Sequence, residues 1–333
     1  MAKIVVICGT SGPAYPWGDA FCEKGLGGSE EYLVYITRAL AALGHEVVVS
    51  NNCGEEFVGT HNGVTYVPFT EPLPEGDVLI SQRNWTLLMN QPNYKMRLLS
   101  CHDCPVPEAL HGPAAHQLDW ALQNIDYFLL LNNYHRQAWN YIPSNHVCLT
   151  GVGIDHSMFE NRNIVRDPGR CVYFSHPGKG LQKLRNLWPR IREAVPTATL
   201  HAFWNDPQFW HHPIEDIGIM PMKWLGPQEI ADETLRASLF TYPSVHRENL
   251  PMVCMKAQRG GAVPVVICAG GMDETIQWGY KCHDGNFVEN VIAMLRQPAQ
   301  QQIIREPMME WAKQFTWEAA AQRIAALWEA RGI

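Results

Sequence analysis

Glu248-Asn249-Leu250-Pro251 joins an apolar run, residues 239–243, to a helical pattern that ends at Gly260-Gly261. The order reads as a strand end, a polar loop with one carboxylate, and a helix with Pro251 at its first position. A missing N–H is no loss there. The unpaired N–H groups of such a helix start face back toward the loop and attract an anion. Glu248 stands beside them, able to accept hydrogen bonds from hydroxyl groups. Phosphate on the amides and a polyol on the carboxylate together suit a nucleotide-sugar. Lys179 lies in Gly178-Lys179-Gly180, between a second apolar run and a second helical pattern. An ammonium there stabilises the negative charge that develops on a departing diphosphate. A lysine in a loop is otherwise simply a solvated residue. If both residues do this chemistry, Lys179 and Glu248 must share one crevice.

Other residues offer weaker signals. Gly27-Gly28 precedes a helical stretch and lets backbone approach a phosphate, although glycine pairs also mark plain turns. Cys101-His102-Asp103-Cys104 ends a strand at the edge where α/β sheets carry functional groups. Its cysteines are half of a zinc site, but no second Cys/His pair stands at suitable spacing, so no metal is expected. The first strand-to-helix turn, Gly9-Thr10-Ser11-Gly12, lacks the dinucleotide fingerprint, which disfavours nicotinamide. Phe203, Trp204, Phe209 and Trp210, with His211 and His212, are able to stack on a ligand, but local packing is the commoner use of such rings.

The elements that must position these residues alternate between strand and helix patterns, which predicts parallel sheets wrapped by helices. Strands are expected at 3–8, 46–50, 64–67, 78–81, 97–101, 127–131 and 147–149. A helix at 30–43 is striped by Leu33, Ile36, Leu40 and Leu43, with Ser29 placed to cap its start and Gly44 its end. After a polar segment at 160–169, strands are expected at 171–175, 199–203, 222–225, 239–243 and 263–268. Helices are expected at 181–194 and 228–237, and a last one from 316. The division expected is a Rossmann-like domain over 1–155, a second over 165–315, and helix 316–333 folding back on the first.

A chain of 333 residues exceeds one ordinary core, and 46% hydrophobic with 18% charged residues is a globular composition. No apolar run approaches the ~18 residues of a membrane span. The chain enters a strand at residue 3, which leaves no room for a signal peptide, and its ten cysteines are scattered. Reduced thiols and a cytoplasmic address are the expectation. Residues 1–150 carry 7 Lys+Arg against 14 Asp+Glu, and the remainder 19 against 19. The acidic first part disfavours nucleic acid and anionic membrane surfaces as partners.

Six stretches in order resemble the family-4 retaining glycosyltransferases of GT-B fold (group 1 glycosyltransferase-like). They are Gly27-Gly28-Ser29-Glu30; Gly151-Val152-Gly153-Ile154-Asp155 with Phe159; Ser175-His176-Pro177-Gly178-Lys179-Gly180-Leu181; Pro243-Ser244 through Gly261; Gly270-Gly271-Met272-Asp273-Glu274; and Phe315-Thr316-Trp317. The resemblance implies two Rossmann-like domains with parallel sheets facing a central cleft. It implies catalytic roles for Lys179, Glu248 and His102, with His102 near the donor sugar and Asp103 on the acceptor side. Donor contacts are implied for Gly27, Gly28, Ser175, Asn249, Leu250, Gly271 and Glu274, and Gly226 would lie in the loop that frames the base.

Two positions depart from the family pattern. The family has a second glutamate where this chain has Lys256, and an ammonium cannot accept hydrogen bonds from ribose hydroxyls. Lys256 would instead bring a cation near a donor phosphate or mark a changed donor. The arginine usual before the loop lysine is also missing, with Phe174, Ser175 and His176 in its place. The implied activity is transfer of a sugar, with retention and without a metal or resident cofactor, from a donor such as a UDP- or GDP-sugar. The acceptor is open among a glycan, a small molecule and a modified nucleic acid. An epimerase or hydrolase on the same scaffold, and a nucleotide-sugar-binding protein without catalysis, stand as alternatives.

Overall fold

The computed structural model describes residues 1–9, 12–89, 91–105, 113–204 and 217–333. The chain divides into two compact units, Met1–Gly153 with Phe315–Ile333, and Ile154–Gln314. Each unit is a parallel sheet covered by helices. Strands buried on both faces read as unbroken apolar runs, and that is why Lys3–Ile7 and Val263–Ile267 were so legible.

The first sheet holds β1 (Lys3–Ile7), β2 (Glu46–Asn51), β3 (Gly59–His61), β4 (Val64–Pro68), β5 (Val78–Gln82), β6 (Met96–Ser100), β7 (Tyr127–Leu130) and β8 (Val147–Leu149). Their order is β3-β4-β2-β1-β5-β6-β7-β8, and only β3 runs antiparallel to its neighbour. Helix Gly28–Ala42 buries Leu33, Val34, Ile36 and Leu40. Its N-cap is Gly27 rather than Ser29. Ser29 lies in the first turn, where its hydroxyl donates to Glu30 Oε1 at 2.9 Å. The helix therefore starts earlier than its apolar stripe.

The final helix, Trp317–Glu329, belongs to this unit. Thr316 caps it by accepting from Ala319 N at 3.1 Å. Trp317 stacks on Tyr35 with ring centroids 5.5 Å apart, and Arg323 Nη2 donates to Thr150 O at 2.6 Å. Gly153 makes this docking possible, because a Cβ there would sit 2.2 Å from Trp317 N.

The second sheet holds β9 (Asp167–Tyr173), β10 (Thr199–Ala202), β11 (Ile219–Pro221), β12 (Ala237–Tyr242), β13 (Val263–Ile267) and β14 (Tyr280–Cys282), in the order β11-β10-β9-β12-β13-β14. Every pairing is parallel. The strand expected at 222–225 lies at Ile219–Pro221 instead. The apolar residues after it serve a loop, with Leu225 buried and Trp224 half exposed. Strands β3 and β14 were not anticipated, since Gly59-Thr60-His61 and Tyr280-Lys281-Cys282 lack the apolar run that marks Val147–Leu149. Among the described residues, no helix is long and apolar enough to cross a membrane.

Candidate functional site

In the second sheet the strand order reverses at β9, with β10 on one side and β12 on the other. A crevice opens outside the carboxyl ends of strands at such a point. Lys179 sits on the turn after β9, and Glu248 on the loop after β12. The two meet, with Lys179 Nζ 2.6 Å from Glu248 Oε2. The other carboxylate oxygen accepts from the Tyr242 hydroxyl at 2.5 Å, and Ser175 Oγ lies 3.3 Å from the same hydroxyl. Tyr242 is fully buried and the Glu248 side chain is 13% exposed. Burial first, and then the charge of Glu248, push the Tyr242 phenol far above its usual range, so it stays protonated and donates.

Two glycines with positive φ hold these loops in close approach. Gly180 has φ +108°, and a Cβ on it would stand 3.0 Å from the carbonyl of Pro243 and from Ser244 N. Gly270 has φ +64°, and its Cβ would come within 2.5 Å of Glu248 O. Gly271 N then donates to that carbonyl at 2.8 Å, so Gly271 acts on the Glu248 loop itself. The Tyr173 hydroxyl donates to His176 O at 2.9 Å, and Lys179 N donates to the same carbonyl at 2.9 Å.

Helix Met252–Gly260 follows, with Pro251 as its N-cap rather than its first helical residue. Asn249 is buried and Leu250 half-buried at its approach. Lys256 is buried farther along the helix. Gly226 caps helix Pro227–Arg236, its N–H donating to Glu229 Oε2 at 3.0 Å. Glu274 is exposed on the short helix Met272–Thr275. These last three stand on separate elements from the Lys179–Glu248 pair.

The corresponding edge of the first sheet is built differently. Gln82 ends β5 and its Nε2 donates to Ser29 O at 2.9 Å, in the first turn of helix Gly28–Ala42. The same amide donates to His102 Nε2 at 3.0 Å, and Ser100 Oγ lies 3.3 Å from that nitrogen. His102 Nε2 is thus an acceptor and the ring proton sits on Nδ1. Burial pushes the His102 pKa down to about 3, so the imidazole is neutral near pH 7. Tyr32 meets it edge-on with centroids 4.9 Å apart. Gly27 and Gly28 lie at the start of the same helix.

Asp103 pairs with Arg83 Nη2 at 2.7 Å, and its carbonyl accepts from His135 Nε2 at 3.0 Å and Trp139 Nε1 at 3.2 Å. All ten cysteines are free, and no group of three or more His, Cys, Asp and Glu among the described residues is placed to hold a metal ion. Phe203 stacks on Phe174 with centroids 4.7 Å apart, and Trp204 meets His176 at 5.1 Å. Phe209, Trp210, His211 and His212 lie outside the described residues.

Sequence reasoning missed Tyr242, Tyr173, Gln82, Ser100 and Arg83. Four of them share a readable sign. Gln82, Ser100, Tyr173 and Tyr242 are the last residues of their strands and carry polar groups at the end of a buried run.

No family model matches the chain, and no curated protein matches it in sequence. Solved structures do resemble it along its length. Sucrose-phosphate synthase from Thermosynechococcus elongatus is 14% identical, with 98% of each chain covered and a TM-score of 0.76. Anabaena HepE (Alr3699), in complex with UDP and glucose, is 16% identical, covering 99% of this chain and 100% of its own at a TM-score of 0.71. AviGT4, a glycosyltransferase involved in avilamycin A biosynthesis, is 13% identical, covering 98% and 96% at 0.64. At these identities the likeness shows the fold, which is the two-domain GT-B arrangement of parallel sheets.

Proposed function

We propose that this protein is a glycosyltransferase that moves a sugar from a nucleotide-sugar to an acceptor hydroxyl with retention of configuration. The observation that carries this reading is the contact of Lys179 with Glu248 where the second sheet reverses its strand order. A cation and a carboxylate 2.6 Å apart, beside the start of helix Met252–Gly260, supply one group for a diphosphate and one for sugar hydroxyls. HepE, similar over the whole chain, is described in complex with UDP and with UDP-glucose, which supports a donor of that class.

In this reading Lys179 and the amides approaching Met252 take the diphosphate, while Glu248 orients the sugar. Asn249, Leu250, Ser175 and Gly271 shape the same pocket. Gly226 borders the base, and Lys256 and Glu274 complete the donor side. In the first unit we assign His102 to the transfer step and Gly27-Gly28, at the start of helix Gly28–Ala42, to ligand contact. As the bond from the anomeric carbon to the phosphate oxygen breaks, the acceptor oxygen bonds to that carbon from the same face. Its proton passes to the departing phosphate oxygen, so no protein nucleophile is needed. Positive side chains and helix amides then do the work of a divalent metal. Ten free thiols suit a reducing, cytoplasmic setting.

The test is a thermal-shift screen with UDP-, GDP-, ADP- and dTDP-sugars, followed by nucleotide release with and without acceptors. A ligand bound only by the folded protein raises its melting temperature. A shift with one nucleotide series and release that depends on acceptor is the expected result. Release without any acceptor identifies a hydrolase, and no shift with any series removes the reading. Proton NMR of the product's anomeric signal tests retention.

A further inference from the structure

Lys179 and Glu248 neutralise each other in this structure, yet the proposed chemistry asks each of them to face a different part of the donor. Once a diphosphate draws the Lys179 ammonium, Glu248 loses its charged partner. Something else must then keep the carboxylate aimed. Val245, His246 and Arg247 of the loop that bears it are exposed. Its backbone is pinned from below by Gly271, but a pinned backbone leaves the side-chain torsions free.

Tyr242 fills this role. Its hydroxyl reaches Glu248 Oε1 at 2.5 Å, the oxygen that Lys179 does not contact. The ring is itself closely packed. It is fully buried at the last position of β12, between Tyr173 at 5.6 Å and Phe240 at 5.4 Å, centroid to centroid. A phenol in such a place donates one strong, directed hydrogen bond to a carboxylate at little cost in ordering.

We propose that Tyr242 is the positioning residue of the donor site, holding Glu248 through Oε1 so that Lys179 can leave Oε2 for the diphosphate. The inference rests on the glycosyl-transfer reading and adds a division of labour within it. The carboxylate is gripped by two partners, one exchangeable and one fixed. The sugar then meets a carboxylate already oriented, and the diphosphate meets a lysine whose release does not disorder its partner.

This arrangement separates two affinities. A free nucleoside diphosphate engages the lysine side alone, whereas a nucleotide-sugar needs the oriented carboxylate as well. The experiment measures, by calorimetry, the binding of UDP and UDP-glucose (or the GDP, ADP or dTDP pair that gives the largest thermal shift) to wild type and to Tyr242→Phe. Transfer rates are measured in parallel. Tyr242→Phe removes one oxygen and keeps the ring packing. The expected result is unchanged diphosphate affinity with nucleotide-sugar affinity or kcat lowered roughly ten- to a hundredfold, the worth of a hydrogen bond to a charged group.

Equal losses for both ligands would assign Tyr242 a merely structural role and overturn the proposal. So would a Tyr242→Phe protein that matches wild type in nucleotide-sugar binding and transfer. Retained diphosphate binding also reports that the variant is folded. A wild-type protein that binds none of the four nucleotide series removes the glycosyl-transfer reading itself, a result distinct from either failure of the Tyr242 assignment.

Discussion

The carboxyl edges of the two sheets come from the same architecture and are finished in opposite ways. In the second unit the edge is charged, with Lys179 against Glu248 and loops locked by the close approaches of Gly180 and Gly270. In the first unit the edge centres on a neutral network of Gln82, Ser100 and His102, while Asp103 beside it is matched by Arg83. The difference is chemical rather than topological. A diphosphate calls for a fixed cation and a rigid loop, because a misplaced charge is worth little in water. A hydroxyl calls only for oriented donors and acceptors, which a buried neutral imidazole supplies without the cost of a buried charge.

The strongest way to break this contrast is to remove the cation. Lys179→Ala is expected to lower transfer by roughly a hundred- to a thousandfold, the scale of losing one preorganised stabilising group. Folding should be retained, because an ion pair in which Lys179 is 36% exposed adds little stability. A folded Lys179→Ala protein with near-normal turnover, measured as nucleotide release, would remove the lysine from the mechanism. Next in size is the loop that carries the carboxylate. Gly270→Ala introduces a Cβ 2.5 Å from Glu248 O at φ +64°, and should cost about 1–3 kcal/mol of stability while depressing transfer. Chemical denaturation with a parallel rate measurement checks both effects.

The first edge is sharpened by pH instead. Burial holds the folded His102 at about 3 against 6.5 for the free group, so between those values the unfolded chain binds the extra proton. Stability is therefore full above about pH 6.5 and falls as pH drops from there toward 3. His135, pushed to about 4 by burial, acts in the same direction. Melting temperature should fall from pH 7 to pH 5, and less steeply in His102→Asn; identical slopes would argue against a buried neutral His102. The smallest effect is expected far from both edges. Thr316→Ala removes the cap of helix Trp317–Glu329 and should cost about 1 kcal/mol.

The sequence carried the second edge better than the first for a physical reason. Lys179 stands between two glycines and Glu248 three residues before Pro251, each in the loop after an apolar strand, a local pattern visible in one dimension. Their meeting was a requirement of the shared chemistry rather than a reading of strand order, since β10 and β11 separate β9 from β12 in sequence and only the fold pairs them. Gln82 and Ser100 show only that a polar residue closes a buried strand, since their role depends on β5 and β6 lying side by side under the helix start at Ser29. Tyr242 likewise closes a buried strand, but the 2.5 Å approach of its hydroxyl to Glu248 is visible only in the fold. Ser29 misled for the converse reason. A serine before an apolar stripe is a common cap, but Gly27 and Gly28 extend the helix backward beyond the stripe.

One measurement goes straight to the grip of this pair on its ligand. It is a crystal structure of the protein soaked with the nucleotide-sugar that raises its melting temperature most. The account predicts a diphosphate oxygen within hydrogen-bond distance of Lys179 Nζ, sugar hydroxyls on Glu248, and Tyr242 still bonded to Oε1. A nucleotide-sugar bound away from the ends of β9 and β12, with Lys179 and Glu248 still paired only to each other, would contradict it.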